Sequence, residues 1–170
     1  MMKIKSFLKD MIQTLLISFI LVFILLKFVF MPCVVEGTSM YPILQDNDFG
    51  YSFIISKNLG INRFDIAVIN IEDPFNEKLL VKRVIGLPNE KVTYKDNKLY
   101  INDSLIEEDF LGDDIYTNDF EIVLNDDEYC CLGDNRSVSR DSRYYGAFKK
   151  DDIVSTHLLV LYPFKDFGLK

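Results

Sequence analysis

Residues 11–30 read MIQTLLISFILVFILLKFVF, an apolar run carrying one charge, Lys27. Twenty helical residues at about 1.5 Å each cover roughly 30 Å, the hydrocarbon thickness of a bilayer. Lys27 falls in the last turn, where its stem can lie in lipid while the ammonium reaches the interface. A cleaved signal peptide is the competing reading, but its apolar region spans only about 7–15 residues and ends at a small-x-small site. This run is longer, and Met31-Pro32-Cys33-Val34-Val35 offers no such site. A single transmembrane anchor is expected, followed by one domain of ordinary size.

Lys3, Lys5 and Lys9 precede the run, against Asp10 alone. The positive-inside rule then puts residues 1–10 in the cytoplasm and residues 31–170 outside, giving a single-pass protein of the cell membrane. Of the chain's 19 basic and 26 acidic residues, residues 31–170 keep 15 and 25, a net charge of −10. That surface excludes nucleic acid as a partner, because phosphate binding needs a basic face. One histidine, His157, and the cysteines Cys33, Cys130 and Cys131 do not make a zinc ligand set, so neither metal nor cofactor is expected. Adjacent Cys130 and Cys131 are poorly placed to bond to each other, and an odd count leaves a thiol over. Within an apolar strand-like run they read as small buried hydrophobes.

Beyond the anchor the chain reads as short strands at 49–56, 66–71, 79–85, 92–94, 99–101, 121–124, 129–132 and 153–161, rich in β-branched and aromatic residues and bounded by Asn, Asp, Gly or Pro. Lys95-Asp96-Asn97-Lys98 is a hairpin turn, since Asp and Asn tolerate positive φ. No amphipathic helix of useful length appears, so an all-β domain is expected. Between Asp96 and Glu128 lie twelve acids and one base, Lys98. This stretch reads as a solvated acidic insertion, and it lacks the Asp-x-Asp-x-Asp spacing of a calcium loop.

Ser39 lies nine residues past the apolar run, in Gly37-Thr38-Ser39-Met40-Tyr41-Pro42. A serine becomes a nucleophile only when a base takes its proton. His157, in a strand-like run, reads as a structural histidine. The other base available is a lysine kept neutral by burial. Lys82 sits in Leu79-Leu80-Val81-Lys82-Arg83-Val84-Ile85-Gly86, where alternation sends Lys82 and Arg83 to opposite faces and one of them inward. An ordinary edge-strand lysine is the alternative. The segment from Gly133 to Gly146 is dense in hydrogen-bonding side chains. Its pairs Asp134/Arg136 and Asp141/Arg143 suggest a loop held by its own network, against the plainer reading of a polar surface loop.

Four segments resemble, in order, the boxes of the bacterial Ser–Lys signal peptidases (type I leader peptidases). They are Ser39-Met40-Tyr41-Pro42-Ile43-Leu44, Asn62-Arg63-Phe64-Asp65-Ile66-Ala67-Val68, Val81-Lys82-Arg83-Val84-Ile85-Gly86-Leu87-Pro88, and Gly133 to Gly146. The resemblance implies a mostly β, signal-peptidase-like catalytic domain at 31–170 with a small β insertion at about 91–128, behind the anchor at 11–30. It implies a serine endopeptidase that removes signal peptides from exported preproteins after a small-x-small site, with preproteins and the lipid bilayer as partners. Ser39 would be the nucleophile, Lys82 the general base, Ser139 the hydroxyl that orients the lysine, and Asp141 with Arg143 a supporting ion pair. The Ser39 N–H would be one oxyanion donor. Where some members carry a serine as second donor this chain has Gly37, which leaves the second donor open, with Thr38 as one candidate. Other departures are Phe64 for a common glycine, Ile43 for a threonine, and Asn89-Glu90 for Gly-Asp. A specialised protease with one substrate, or a non-catalytic relative in pilus assembly, stays open as an alternative.

Overall fold

Helix α1 (Met2–Val29) is exposed on every side from residue 5 to 28 and packs on no other element over that length. An apolar helix without a polar face suits lipid better than water. The structure is a computed structural model, and it describes residues 2–71, 79–112 and 115–170. Asp113 and Asp114 of the acidic stretch lie outside the described residues.

The helix passes without a linker into strand β1 (Phe30–Val34), so Phe30, assigned above to the anchor, is already in the sheet. The strands that follow are β2 (Phe49–Phe53), β3 (Ile66–Asn70), β4 (Leu79–Gly86), β5 (Lys91–Lys95), β6 (Lys98–Ile101), β7 (Ser104–Ile106), β8 (Phe120–Val123), β9 (Glu128–Leu132), β10 (Phe148–Lys149), β11 (Ile153–Ser155), β12 (Leu158–Tyr162) and β13 (Gly168–Leu169). Among the described residues two single-turn α-helices, α2 (Ser56–Leu59) and α3 (Ser142–Tyr145), and two 3-10 turns, Lys150–Asp152 and Phe164–Asp166, interrupt them. Three antiparallel sheets result, in the orders β1-β2-β12-β13, β10-β9-β4-β3-β11 and β7-β6-β5-β8. The fold is mostly β, and the last sheet is built from β5 and the acidic stretch that follows it.

Two expected strands end early for a local reason. The Ser56 hydroxyl donates to the Phe53 carbonyl and accepts the Thr156 N–H at 2.8 Å. Such side-chain bonds compete with the ladder. The strand expected at 49–56 therefore stops at Phe53, and the run expected at 153–161 breaks between β11 and β12 at Thr156 and His157.

Strand β4 is central in its sheet, with β3 on one side and β9 on the other. Both its faces are covered. Leu80 and Val84 enter a cluster with Ala67, Ile69 and Cys131, Ile85 joins Val92 and Leu132, and Val81 packs against the cluster of Met40, Leu44 and Ile66. Hence Lys82 and Arg83 are both buried, at 3% and 7% exposure, rather than one facing in and one out. The reading of Lys82 as an ordinary solvated lysine is overturned. The cysteines divide among the same three clusters, and all are free thiols. Burial pushes the Cys130 thiol up to about 12 and that of Cys131 well above its ordinary value.

Candidate active site

Ser39 stands in the turn after β1. Met40, 1% exposed, drives into the cluster beside Leu44 and Ile66 and pins the chain just past the serine. On the other flank the Gly37 N–H donates to Asp46 Oδ1 at 2.7 Å. The Tyr41 N–H donates to the Thr38 carbonyl at 3.2 Å and closes the turn. Across from it, β4 delivers Lys82. Directly opposite Lys82 in the ladder is Ala67, whose small side chain leaves room for the lysine stem. Lys82 Nζ lies 2.8 Å from Ser39 Oγ and 2.9 Å from the Val81 carbonyl oxygen. Two residues 43 positions apart in sequence thus meet at hydrogen-bond distance inside the fold.

The segment after β9 holds the serine turn from behind. The Asn135 backbone N–H donates to the Ser39 carbonyl at 3.0 Å and its side-chain amide to the Thr38 carbonyl at 3.2 Å. Gly133 lies so close that a β-carbon there would sit 2.5 Å from the Ser39 carbonyl oxygen and against the Ser139 side chain, so only glycine fits. Asp141 binds both ends of the segment. It accepts the Gly133 N–H at 3.0 Å, takes Arg143 Nε and a terminal nitrogen at 2.8 Å each, and caps α3 through the Arg143 N–H. Burial alone would raise the Asp141 carboxyl. The Arg143 hydrogen bond, the Gly133 N–H and the Arg143 charge outweigh it and hold the group below the ordinary aspartate range, with a lesser contribution from Ser139.

Three expectations need revision. Ser139 Oγ is buried and faces the Asp141 carboxylate, whose pKa it lowers slightly without closing to a well-formed hydrogen bond, so the lysine-orienting bond given to it by resemblance is not made here. Asp134 and Arg136 do not pair with each other. Asp134 takes a bidentate bond from Arg83 at 2.9 and 2.6 Å, and Arg136 reaches Glu108 at 2.6 Å, Thr117 Oγ1 at 3.0 Å and the Tyr94 hydroxyl. The acidic stretch is therefore not solvated throughout, because Glu108 neutralises an arginine with no exposed side-chain surface. Nothing in the sequence linked Glu108 to Arg136, 28 positions away. His157 bonds Thr156 Oγ1 at 3.1 Å. It is not bonded to Ser39 among the described residues.

A groove of about 650 Å³ opens beside Ser39 and Lys82, with Val34, Glu36 and Thr38 among its lining on one wall and Leu79 and Val81 on the other. Each wall offers strand backbone without a partner among the described residues. Among the described residues strand β1 pairs only with β2, and β9 pairs β4 at Arg83, Val84 and Gly86, so that Leu79, Leu80 and Val81 have ladder partners in β3.

The family described as "Signal peptidase, peptidase S26" matches residues 8–162. Signal peptidase I S of Bacillus subtilis (strain 168) is 36% identical over 167 residues, covering 91% of this chain and 89% of its own length. Signal peptidase IB of Staphylococcus aureus (strain Mu50 / ATCC 700699) is 32% identical over 184 residues, covering 96% and 94%. A crystal structure of a signal peptidase I from Enterococcus faecalis V583 superposes with a TM-score of 0.50 at 33% identity, covering 57% of this chain and 96% of that one. Fold and relatives place the chain among the serine endopeptidases. It belongs to the peptidase S26 family, the signal peptidases.

Proposed function

We propose that this chain is a membrane-anchored signal peptidase in which Ser39 is the nucleophile and Lys82 its general base. The 2.8 Å approach of Lys82 Nζ to Ser39 Oγ carries the reading. Removing an amine from water disfavours its protonated form, which is the condition a lysine base requires. With the amine neutral, the contact runs the other way and the serine hydroxyl donates to Nζ. Ser39 then attacks the scissile carbonyl, Lys82 takes its proton and passes it to the leaving amine, and water releases the acyl-enzyme. The Ser39 N–H is one oxyanion donor and the second stays open, the Gly37 N–H being committed to Asp46.

The substrate is an extended segment laid between β1 and the first half of β4, in the manner of strand addition. Main-chain bonds to the two open strand edges give affinity, and the narrow walls select small side chains before the scissile bond. Helix α1 spans the membrane with residues 1–10 in the cytoplasm, and residues 31–170 form the catalytic domain on the outer side. The acidic stretch at about 91–128 is its β insertion.

The test is cleavage of several preproteins, varied before the cleavage site, in liposomes. Ser39→Ala and Lys82→Ala are each expected to abolish turnover. Lys82→Arg is expected to be inactive as well, since a guanidinium does not release its proton near neutrality. Retained turnover in any of the three would discard the dyad, and activity on one preprotein alone would favour a dedicated protease.

A further inference from the structure

The peptide link between Thr38 and Ser39 is trans, and its carbonyl end is held from two sides. The Tyr41 N–H donates to the Thr38 oxygen from within the turn, and Asn135 Nδ2 donates to it from the opposite segment, each at 3.2 Å. Asn135 is itself fixed. Its backbone N–H donates to the Ser39 carbonyl at 3.0 Å, and its Oδ1 accepts the Ser137 hydroxyl at 3.1 Å. In a trans peptide the C=O and the N–H of the next residue are coplanar and point in opposite directions. A donor on the Thr38 oxygen therefore sets the direction of the Ser39 N–H. It also polarises the peptide and strengthens that N–H as a donor.

We propose that Asn135 is a positioning residue for oxyanion stabilisation, its side-chain amide locking the Thr38–Ser39 peptide so that the Ser39 N–H faces the developing negative charge. The inference rests on the reading of Ser39 as nucleophile. Asn135 touches neither substrate nor the reacting atoms. Its effect belongs to the transition state, where the charge on the carbonyl oxygen is greatest, and not to ground-state binding.

The experiment compares the full chain in detergent micelles with Asn135→Asp, which keeps the size and the acceptor for Ser137 but turns an oxygen toward the Thr38 carbonyl. On a short peptide substrate kcat is expected to fall about tenfold or more with KM unchanged within about twofold. The loss stays below the 10²–10³ of a deleted donor because Tyr41 still holds the Thr38 oxygen. A peptide aldehyde, whose tetrahedral adduct with Ser39 carries the same oxygen, should lose affinity in parallel with kcat/KM. Asn135→Ala removes the donor without adding a charge and gives the same reading should Asn135→Asp fail to fold. Wild-type kcat in a folded variant, or a loss carried by KM alone, overturns the proposal. Turnover in Ser39→Ala would instead overturn the reading beneath it.

Discussion

Phe64 adopts φ 73°, a conformation that glycine accepts freely and a bulky side chain rarely does. The glycine that the resemblance leads one to expect there would have a backbone reason. Phe64 is retained by its neighbours. Its N–H donates to the Val84 carbonyl at 2.7 Å, its carbonyl takes an Arg83 bond at 2.9 Å, and its ring packs on Phe110 with centroids 5.0 Å apart. Asn89 in place of glycine follows the same logic at φ 64°, and Glu90 beside it takes a bidentate bond from Arg63. Asp141 supplies a prediction at this scale. Its folded-state value lies below the ordinary one near 3.9, so its contribution to stability is complete above that pH and is lost as pH falls through the folded value. Urea unfolding of wild type and Asp141→Asn from pH 7 to 3 should show a constant gap down to about pH 5 that narrows below about pH 4. A gap independent of pH would mean the carboxylate's charge stabilises nothing.

Sheet β7-β6-β5-β8 is joined to the site through two buried arginines on neighbouring elements. Arg83 leaves β4 beside Lys82, clasps Asp134 and stacks 4.1 Å over the Phe110 ring. Arg136, two residues past Asp134, is closed by Glu108 and Thr117 of the acidic stretch and by Tyr94 of β5. Removing one member of a buried ion pair strands the other, at about 3–5 kcal/mol. Glu108→Ala is expected to cost that much in chemical unfolding, where a solvated surface glutamate would cost nothing measurable. Much of this architecture was legible in advance. Val92-Thr93-Tyr94 and Leu99-Tyr100-Ile101 around the turn Asp96-Asn97 announce a hairpin by pattern alone, and the two turn residues do take φ 51° and 59°. Strand β1 was not legible, because Phe30 and Met31 continue the apolar run and hydropathy does not mark where helix becomes strand. Nor were the partners of Arg83 and Arg136, since pairing between distant segments depends on topology that composition does not record. Ser39 and Lys82 stood out by type and surroundings, whereas Asn135 and Gly133 meet the Thr38–Ser39 backbone across the fold, a proximity that has no signature in sequence.

For the whole molecule, α1 contributes length without packing, while β1 contributes Cys33 to a core cluster and an edge to the groove. Deleting residues 1–29 should leave a folded domain that cleaves a short peptide within a few-fold of the full chain and processes bilayer-embedded preproteins poorly. Deleting residues 1–34 removes a sheet strand and should abolish cooperative thermal unfolding. Equal behaviour of the two truncations would show that β1 is dispensable. The direct junction of α1 and β1, tied by the Ile54 N–H to the Val29 carbonyl at 3.0 Å, leaves no slack between anchor and sheet. On the proposed anchoring of α1 in the membrane, Ser39 is then held at a fixed distance from the lipid. One inserted residue would turn the faces of β1 over, because strand side chains alternate with period two. Two would keep the faces and slide every pair in the ladder from Phe30–Phe53 to Val34–Phe49. On that reading, the distance from the anchor to Ser39 and the register of the sheet are one quantity, and neither can drift without the other.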